Sequence, residues 1–109
     1  MHARYGVAVA LVVILASCRK QDLRTQTIRV PEMKNAACAS IVAEALQRQQ
    51  GIPPEWIKVD IENRTVTVTY DSLQRALKNL EFAIADAGFQ ANETPANPEA
   101  AAKLPPECR

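Results

Sequence analysis

Between residues 27 and 91 the apolar positions switch between two repeats, and the order of the switches predicts the elements. Thr27 to Val30 alternates, which puts Ile28 and Val30 on one face of a half-buried strand that Pro31 ends. From Ala36 to Gln50 the repeat becomes helical. Cys38, Val42, Ala45 and Leu46 share one stripe, while Ser40, Glu44, Gln47 and Arg48 take the other faces. Gly51 stops this helix and Pro53-Pro54 forbids its return. Trp56 to Glu62 then alternates with Ile57, Val59 and Ile61 inward, and Thr65 to Tyr70 with Val66, Val68 and Tyr70 inward. Joined by a turn at Asn63-Arg64, the two runs predict a hairpin. Asp71 or Ser72 is the expected N-cap of a second helix whose stripe is Leu73, Ala76, Leu77, Leu80, Ala83, Ile84 and Ala87, with Gly88 as its C-cap. A short strand near Phe89-Gln90-Ala91 completes the series.

Strand, helix, strand, strand, helix, strand is an α+β order. It predicts a four-stranded antiparallel sheet with two helices on one face, the ferredoxin-like βαββαβ arrangement, with right-handed crossovers. The flanks read differently. Val7 to Ala16 is an unbroken apolar run, shorter than the about 20 residues a membrane-spanning helix needs and of the length found in signal peptides. It runs into Leu15-Ala16-Ser17-Cys18, which resembles a bacterial lipobox. That resemblance implies removal of residues 1–17 and acylation of Cys18, which would hold the chain on a membrane surface on the periplasmic side. Residues 18–26 are then the lipidated cysteine and a polar tether, and 27–91 the folded domain. Residues 92–109 are a tail in which Asn97-Pro98-Glu99 opens a short helix. This tail helix is expected to end at Leu104, which docks on the domain.

Charge narrows the partners. The 13 basic and 12 acidic residues nearly balance, and loss of residues 1–17 takes only Arg4, so nothing favours nucleic acid. The single His2 lies in the segment expected to be removed, and no hydrolase constellation is present. Of the 3 cysteines none sits in a Cys-x-x-Cys pair, which argues against a disulfide framework, a closed zinc site and a thioredoxin-like redox motif.

The candidate chemistry lies in Pro31-Glu-Met-Lys-Asn-Ala-Ala-Cys38, a strand-to-helix loop that places Cys38 in the first turn of its helix. There the free N–H groups and the positive end of the dipole favour a thiolate. The loop resembles the Met-x-Cys-x-x-Cys metal loop of the heavy-metal-associated domain, the module of copper chaperones, soft-metal ATPases and the periplasmic mercuric-ion carrier. Met33, Lys34 and Cys38 fit the pattern, but Asn35 stands at the first cysteine position. The likeness extends over residues 27–91, through Val42, Ala45 and Leu46, Gly51-Ile52, Thr65 to Asp71, and Ile84-Ala-Asp-Ala-Gly-Phe89. It implies a non-enzymatic carrier of a soft metal ion that hands its cargo to a partner protein. In the family the methionine supports the loop and an aromatic at the position of Phe89 shields it, so Met33 and Phe89 are expected as loop support, and Asn35 as the helix cap.

Soft cations prefer polarisable sulfur, so Cys38 is the first candidate ligand and Cys108 the second. Cu(I) is the first choice of ion, ahead of Hg(II) and Zn(II). Residues 92 to 108 could span about 50 Å extended. They need to climb only about 20 Å of sheet to return to the loop. A single cysteine in the loop also leaves room for a dimer in which two copies of Cys38 share one ion. The alternative is a metal-free interaction module in which the oxidising compartment joins Cys38 and Cys108 in a disulfide.

Overall fold

The computed structural model describes residues 20–109. Cys18 and the apolar run before it lie outside the described residues. The sheet is built from β1 (Leu23–Arg29), β2 (Ile57–Asp60) and β3 (Thr65–Asp71), in the order β1-β3-β2, with both neighbouring pairs antiparallel. Two longer helices, α1 (Ala36–Gln50) and α2 (Leu77–Asp86), and a short one in the tail, α3 (Pro98–Ala102), accompany it.

β3 shows how the sheet is sided. Val66, Val68 and Tyr70 are buried and the threonines between them are not, as alternation requires. The buried side meets Ile28 of β1, Val42 and Leu46 of α1, and Leu80 and Ile84 of α2 in one core. The other side is polar: the hydroxyls of Thr25 and Thr69, and of Thr27 and Thr67, bond across the strands at 3.0 and 3.1 Å. β1 starts at Leu23, inside the stretch expected to be a tether. Ile28 is the one buried residue of this strand, so alternation could not reveal its first half.

Three further expectations are corrected. First, the sheet has three strands among the described residues, because the segment expected to form the fourth makes a turn. Asn92 takes a left-handed conformation at φ 52°, where its short polar side chain is tolerated. It lies beside the edge of β1, its N–H donating to the Arg29 carbonyl at 2.8 Å and its side-chain oxygen accepting from the Arg29 N–H at 2.9 Å. Second, α2 begins at Leu77, not after Asp71 or Ser72. The Asp71 carboxylate accepts from the N–H groups of Asp22 and Leu73, and Ser72 bonds to the Asp22 carboxylate, so both candidate caps serve a turn. Leu73 is consequently 61% exposed and Ala76 is exposed. Third, Val59 and Ile61 lie toward solvent at 37% and 38% exposure, since β2 is a short strand at the sheet's edge.

Candidate functional site

The site is built where β1 ends and α1 begins. α1 runs from Ala36 to Gln50 because local chemistry marks both ends. Asn35 is extended, and its side-chain oxygen accepts from the Cys38 N–H at 3.0 Å; Gly51 takes a left-handed turn at φ 64°. Cys38 therefore sits in the first turn of α1, held through its own backbone by the asparagine that replaces the expected first cysteine.

The loop before it is pinned on several sides. Met33 N–H donates to the Val30 carbonyl at 3.0 Å, the Arg64 guanidinium to the Pro31 carbonyl at 3.0 Å, and Gln90 N–H to the Glu32 carboxylate at 2.8 Å. Met33, Phe89 and Cys38 are each fully buried in the same core cluster. Met33, from within the loop, and Phe89 thus share one buried core with Cys38.

The tail returns to this end of the sheet. Asn97 caps α3 by accepting from the N–H groups of Glu99 and Ala100, and its own N–H donates to the Ala85 carbonyl at 2.9 Å. Leu104 is buried against the core. Gly88, at φ 105°, makes the approach possible: a side chain there would lie 2.9 Å from both the Ala101 nitrogen and a methyl of Leu104. After Pro105 a single 3₁₀ turn, Pro106–Cys108, carries the last cysteine to Cys38. Their sulfurs are joined in a disulfide of 2.06 Å, with the Cα atoms 5.6 Å apart and a sequence separation of 70. Neither cysteine has any exposed surface.

Of the candidate residues, the structure brings together Cys38, Cys108, Met33, Asn35 and Phe89. Among the described residues no group of three or more Cys, His, Asp or Glu side chains converges to hold a metal ion. The chemistry available is therefore that of two sulfurs: a disulfide when oxidised, two soft donors when reduced. Also among the described residues, no helix is long and apolar enough to cross a membrane.

One cluster escaped the sequence. Glu81 on α2, 6% exposed, accepts from the Asn92 amide at 2.7 Å, the Thr94 hydroxyl at 3.0 Å and the Lys78 ammonium at 3.2 Å. Burial pushes its carboxyl up, but these hydrogen bonds outweigh it and hold the group below its ordinary value. A glutamate next to Leu80 in the apolar stripe was a faint signal. Lys78 stands at the i, i+3 spacing of a helix pair, but Asn92 and Thr94 are remote enough in sequence that no spacing rule points to them.

The heavy-metal-associated domain family model matches residues 27–90. The mercuric transport protein periplasmic component of Shigella flexneri is 32% identical over 89 residues, which cover 82% of this chain and 90% of that protein. The protein of the same name from Pseudomonas aeruginosa is 33% identical over 66 residues, covering 61% and 70%. Among solved structures, oxidized MerP from Ralstonia metallidurans CH34 superposes with a TM-score of 0.59 at 31% identity, covering 65% of this chain and 96% of that one. The family model over residues 27–90, the curated relatives and the superposition agree with an α+β ferredoxin-like fold: the chain belongs to the heavy-metal-associated domain family.

Proposed function

We propose that this protein is a periplasmic, non-enzymatic carrier of a soft metal ion, anchored to a membrane through Cys18, with Cys38 and Cys108 as its two sulfur ligands. The observation that carries the reading is the return of the tail: residue 108 is delivered to residue 38, supplying from the far end of the chain the sulfur that Asn35 does not. The relatives named for mercuric transport move Hg(II) ahead of the Cu(I) expected from the sequence, and both ions prefer two thiolates to oxygen donors. An ion held linearly between two sulfurs at a metal–sulfur length of about 2.3 Å would set them roughly 4.6 Å apart, so loading requires the disulfide first to be reduced, by two electrons from an external thiol reductant, and Cys108 to draw back. With both sulfurs in one chain, a dimer bridged through two copies of Cys38 is not needed. Cargo then passes to a partner protein by exchange of thiolates.

The reading is tested by native mass spectrometry of the full chain, reduced, freed of reductant, and titrated with Hg(II) and Cu(I). One ion per chain is expected, with at least tenfold weaker binding in Cys108→Ser. Anchoring is tested separately, by loss of the protein from the membrane fraction in Cys18→Ser. A second reading is favoured by the burial of the bonded sulfurs: an interaction module whose tail is clipped by the disulfide and which carries no metal. Absence of either ion from the reduced protein would leave this second reading standing.

A further inference from the structure

The tail meets the domain in two parts that are held in different ways. The first part, Asn97 to Leu104, is fixed by contacts that involve no sulfur. These are the Asn97 N–H on the Ala85 carbonyl at 2.9 Å, the buried Leu104 side chain, and the close fit of Ala100, Ala101 and Leu104 over Gly88. The second part, Pro105 to Arg109, is fixed differently. Pro105 and Pro106 carry no N–H to donate. The Cys108 N–H bonds to the Pro105 carbonyl and the Arg109 side chain to the Leu104 carbonyl, so both bonds stay within the tail. Among the described residues, the bonds from this second part to the body of the domain are the disulfide and an exposed contact of 3.3 Å from the Lys34 ammonium to the Arg109 carbonyl; the Cys38 sulfur also lies 3.9 Å from the Glu107 carbonyl but, being bonded, has no proton to donate, and Cys108 itself is buried in the core cluster.

We infer that Gly88 and Leu104 form a seat that keeps α3 docked whether the two sulfurs are bonded or free. Reduction then releases only a short arm, Pro105–Arg109, and Cys108 stays within reach of Cys38. This deepens the carrier reading and rests on it, because it treats the two sulfurs as the working pair. Gly88 and Leu104 are positioning residues: they touch neither sulfur's cargo, and they act by setting the effective concentration of one thiol at the other. A tether this short sustains millimolar or higher effective concentration, whereas the whole segment after Thr94, undocked, would dilute Cys108 with the −3/2 power of its length.

The equilibrium with glutathione reads that quantity without any metal. The Cys38–Cys108 disulfide and two glutathione thiols give two cysteine thiols and one glutathione disulfide. The full chain is equilibrated in buffers of stepped glutathione ratio, alkylated and weighed. Leu104→Ala and Gly88→Ala are each expected to shift the equilibrium at least tenfold toward the dithiol, and Leu104→Met, which refills the seat, to stay within threefold of the natural chain. Hydrogen exchange on the reduced natural chain should show residues 99–104 still protected and residues 107–109 open. An unchanged equilibrium in Leu104→Ala, or loss of protection across 99–104 on reduction, would overturn the seat. If the alanine variants do not fold, exchange on the natural chain decides alone. Hg(II) stoichiometry on the same reduced samples tests the carrier reading separately: if no ion binds while the equilibrium responds as expected, the carrier reading falls and the seat remains.

Discussion

At residues 92–94 the chain leaving the core is held by a buried carboxylate, and at residue 108 it is held by a covalent bond between sulfurs. Both fastenings draw the C-terminal segment onto the body of the domain, but they answer to different variables. Glu81 holds Asn92 and Thr94 most strongly while it is ionised, so it responds to protons and is indifferent to reductant. The Cys38–Cys108 bond responds to electrons and is indifferent to mild acid. On the carrier reading proposed above, this division would let the inner fastening stay closed when the outer one is released.

The largest effect is expected at the outer fastening. Closing a loop of 70 residues stabilises a fold by about 4 kcal/mol in the chain-entropy model. Cys108→Ser, compared with the oxidised natural chain in urea, should lose about that much, and the reduced natural chain should match the variant. A loss below about 1 kcal/mol would mean that the unfolded chain is already constrained or that the bond strains the fold.

The inner fastening comes next. Glu81→Ala removes the acceptor of three donors, from Lys78, Asn92 and Thr94. Hydrogen bonds to a buried charged group contribute about 1.5–3 kcal/mol, so a loss of about 2–3 kcal/mol is expected by denaturation at neutral pH. The comparison is sharpened by the double variant with Cys108→Ser. If the two fastenings are independent, the losses add to within about 0.5 kcal/mol. A clear departure from additivity would mean that the turn at Asn92 and the end of the tail move as one piece.

The pH dependence separates the two fastenings further. Hydrogen bonds hold the Glu81 carboxyl below its ordinary value of 4.5 in the folded protein despite burial. A group depressed in this way contributes stability above its unfolded value, and that contribution is lost as pH falls through the lower folded value. Denaturation of the natural chain should therefore weaken relative to Glu81→Gln as pH is taken from 6 to below 4.5. Cys108→Ser should follow the natural chain's pH profile, displaced by a constant.

These fastenings were unequally legible in the sequence. α1 could be bounded to the residue because its two ends are written in adjacent positions: Asn35 accepts from a nitrogen three residues on, and Gly51 supplies the left-handed turn. Cys38 and Cys108 could be paired as candidates because the loop and the reach of the tail brought them within range of each other. What failed depended on remote partners. Asp71 and Ser72 look like helix caps until Asp22 engages both. Leu23 to Gln26 looks like a tether until β3 lies opposite. The fourth strand gave way to a turn because the Asn92 side chain takes one of the places a strand's carbonyl would fill at Arg29. Glu81 was only faintly marked for the same reason: its meaning lies in Asn92 and Thr94, which meet it only after the chain has turned.

The smallest effect concerns Asn35, which belongs to neither fastening but fixes the residue that receives the outer one. Its extended backbone, φ −149° and ψ 177°, lets the side-chain oxygen reach the Cys38 N–H at 3.0 Å. Loss of such a cap costs about 1 kcal/mol when alanine replaces it, and only a few tenths when glycine does. Asn35→Ala should thus lower stability by about 1 kcal/mol in the oxidised and reduced chains alike, since the cap forms in both. Asn35→Asp, which keeps the acceptor and adds a negative charge at the positive end of α1, should match or exceed the natural chain. The diagnostic readout is the glutathione equilibrium of the disulfide. If Asn35 only caps, the equilibrium stays within threefold in Asn35→Ala while stability falls. If it moves by tenfold, the cap is setting the position of the Cys38 sulfur itself, and the receiving side of the bond is then as much a positioned element as the arm that reaches it.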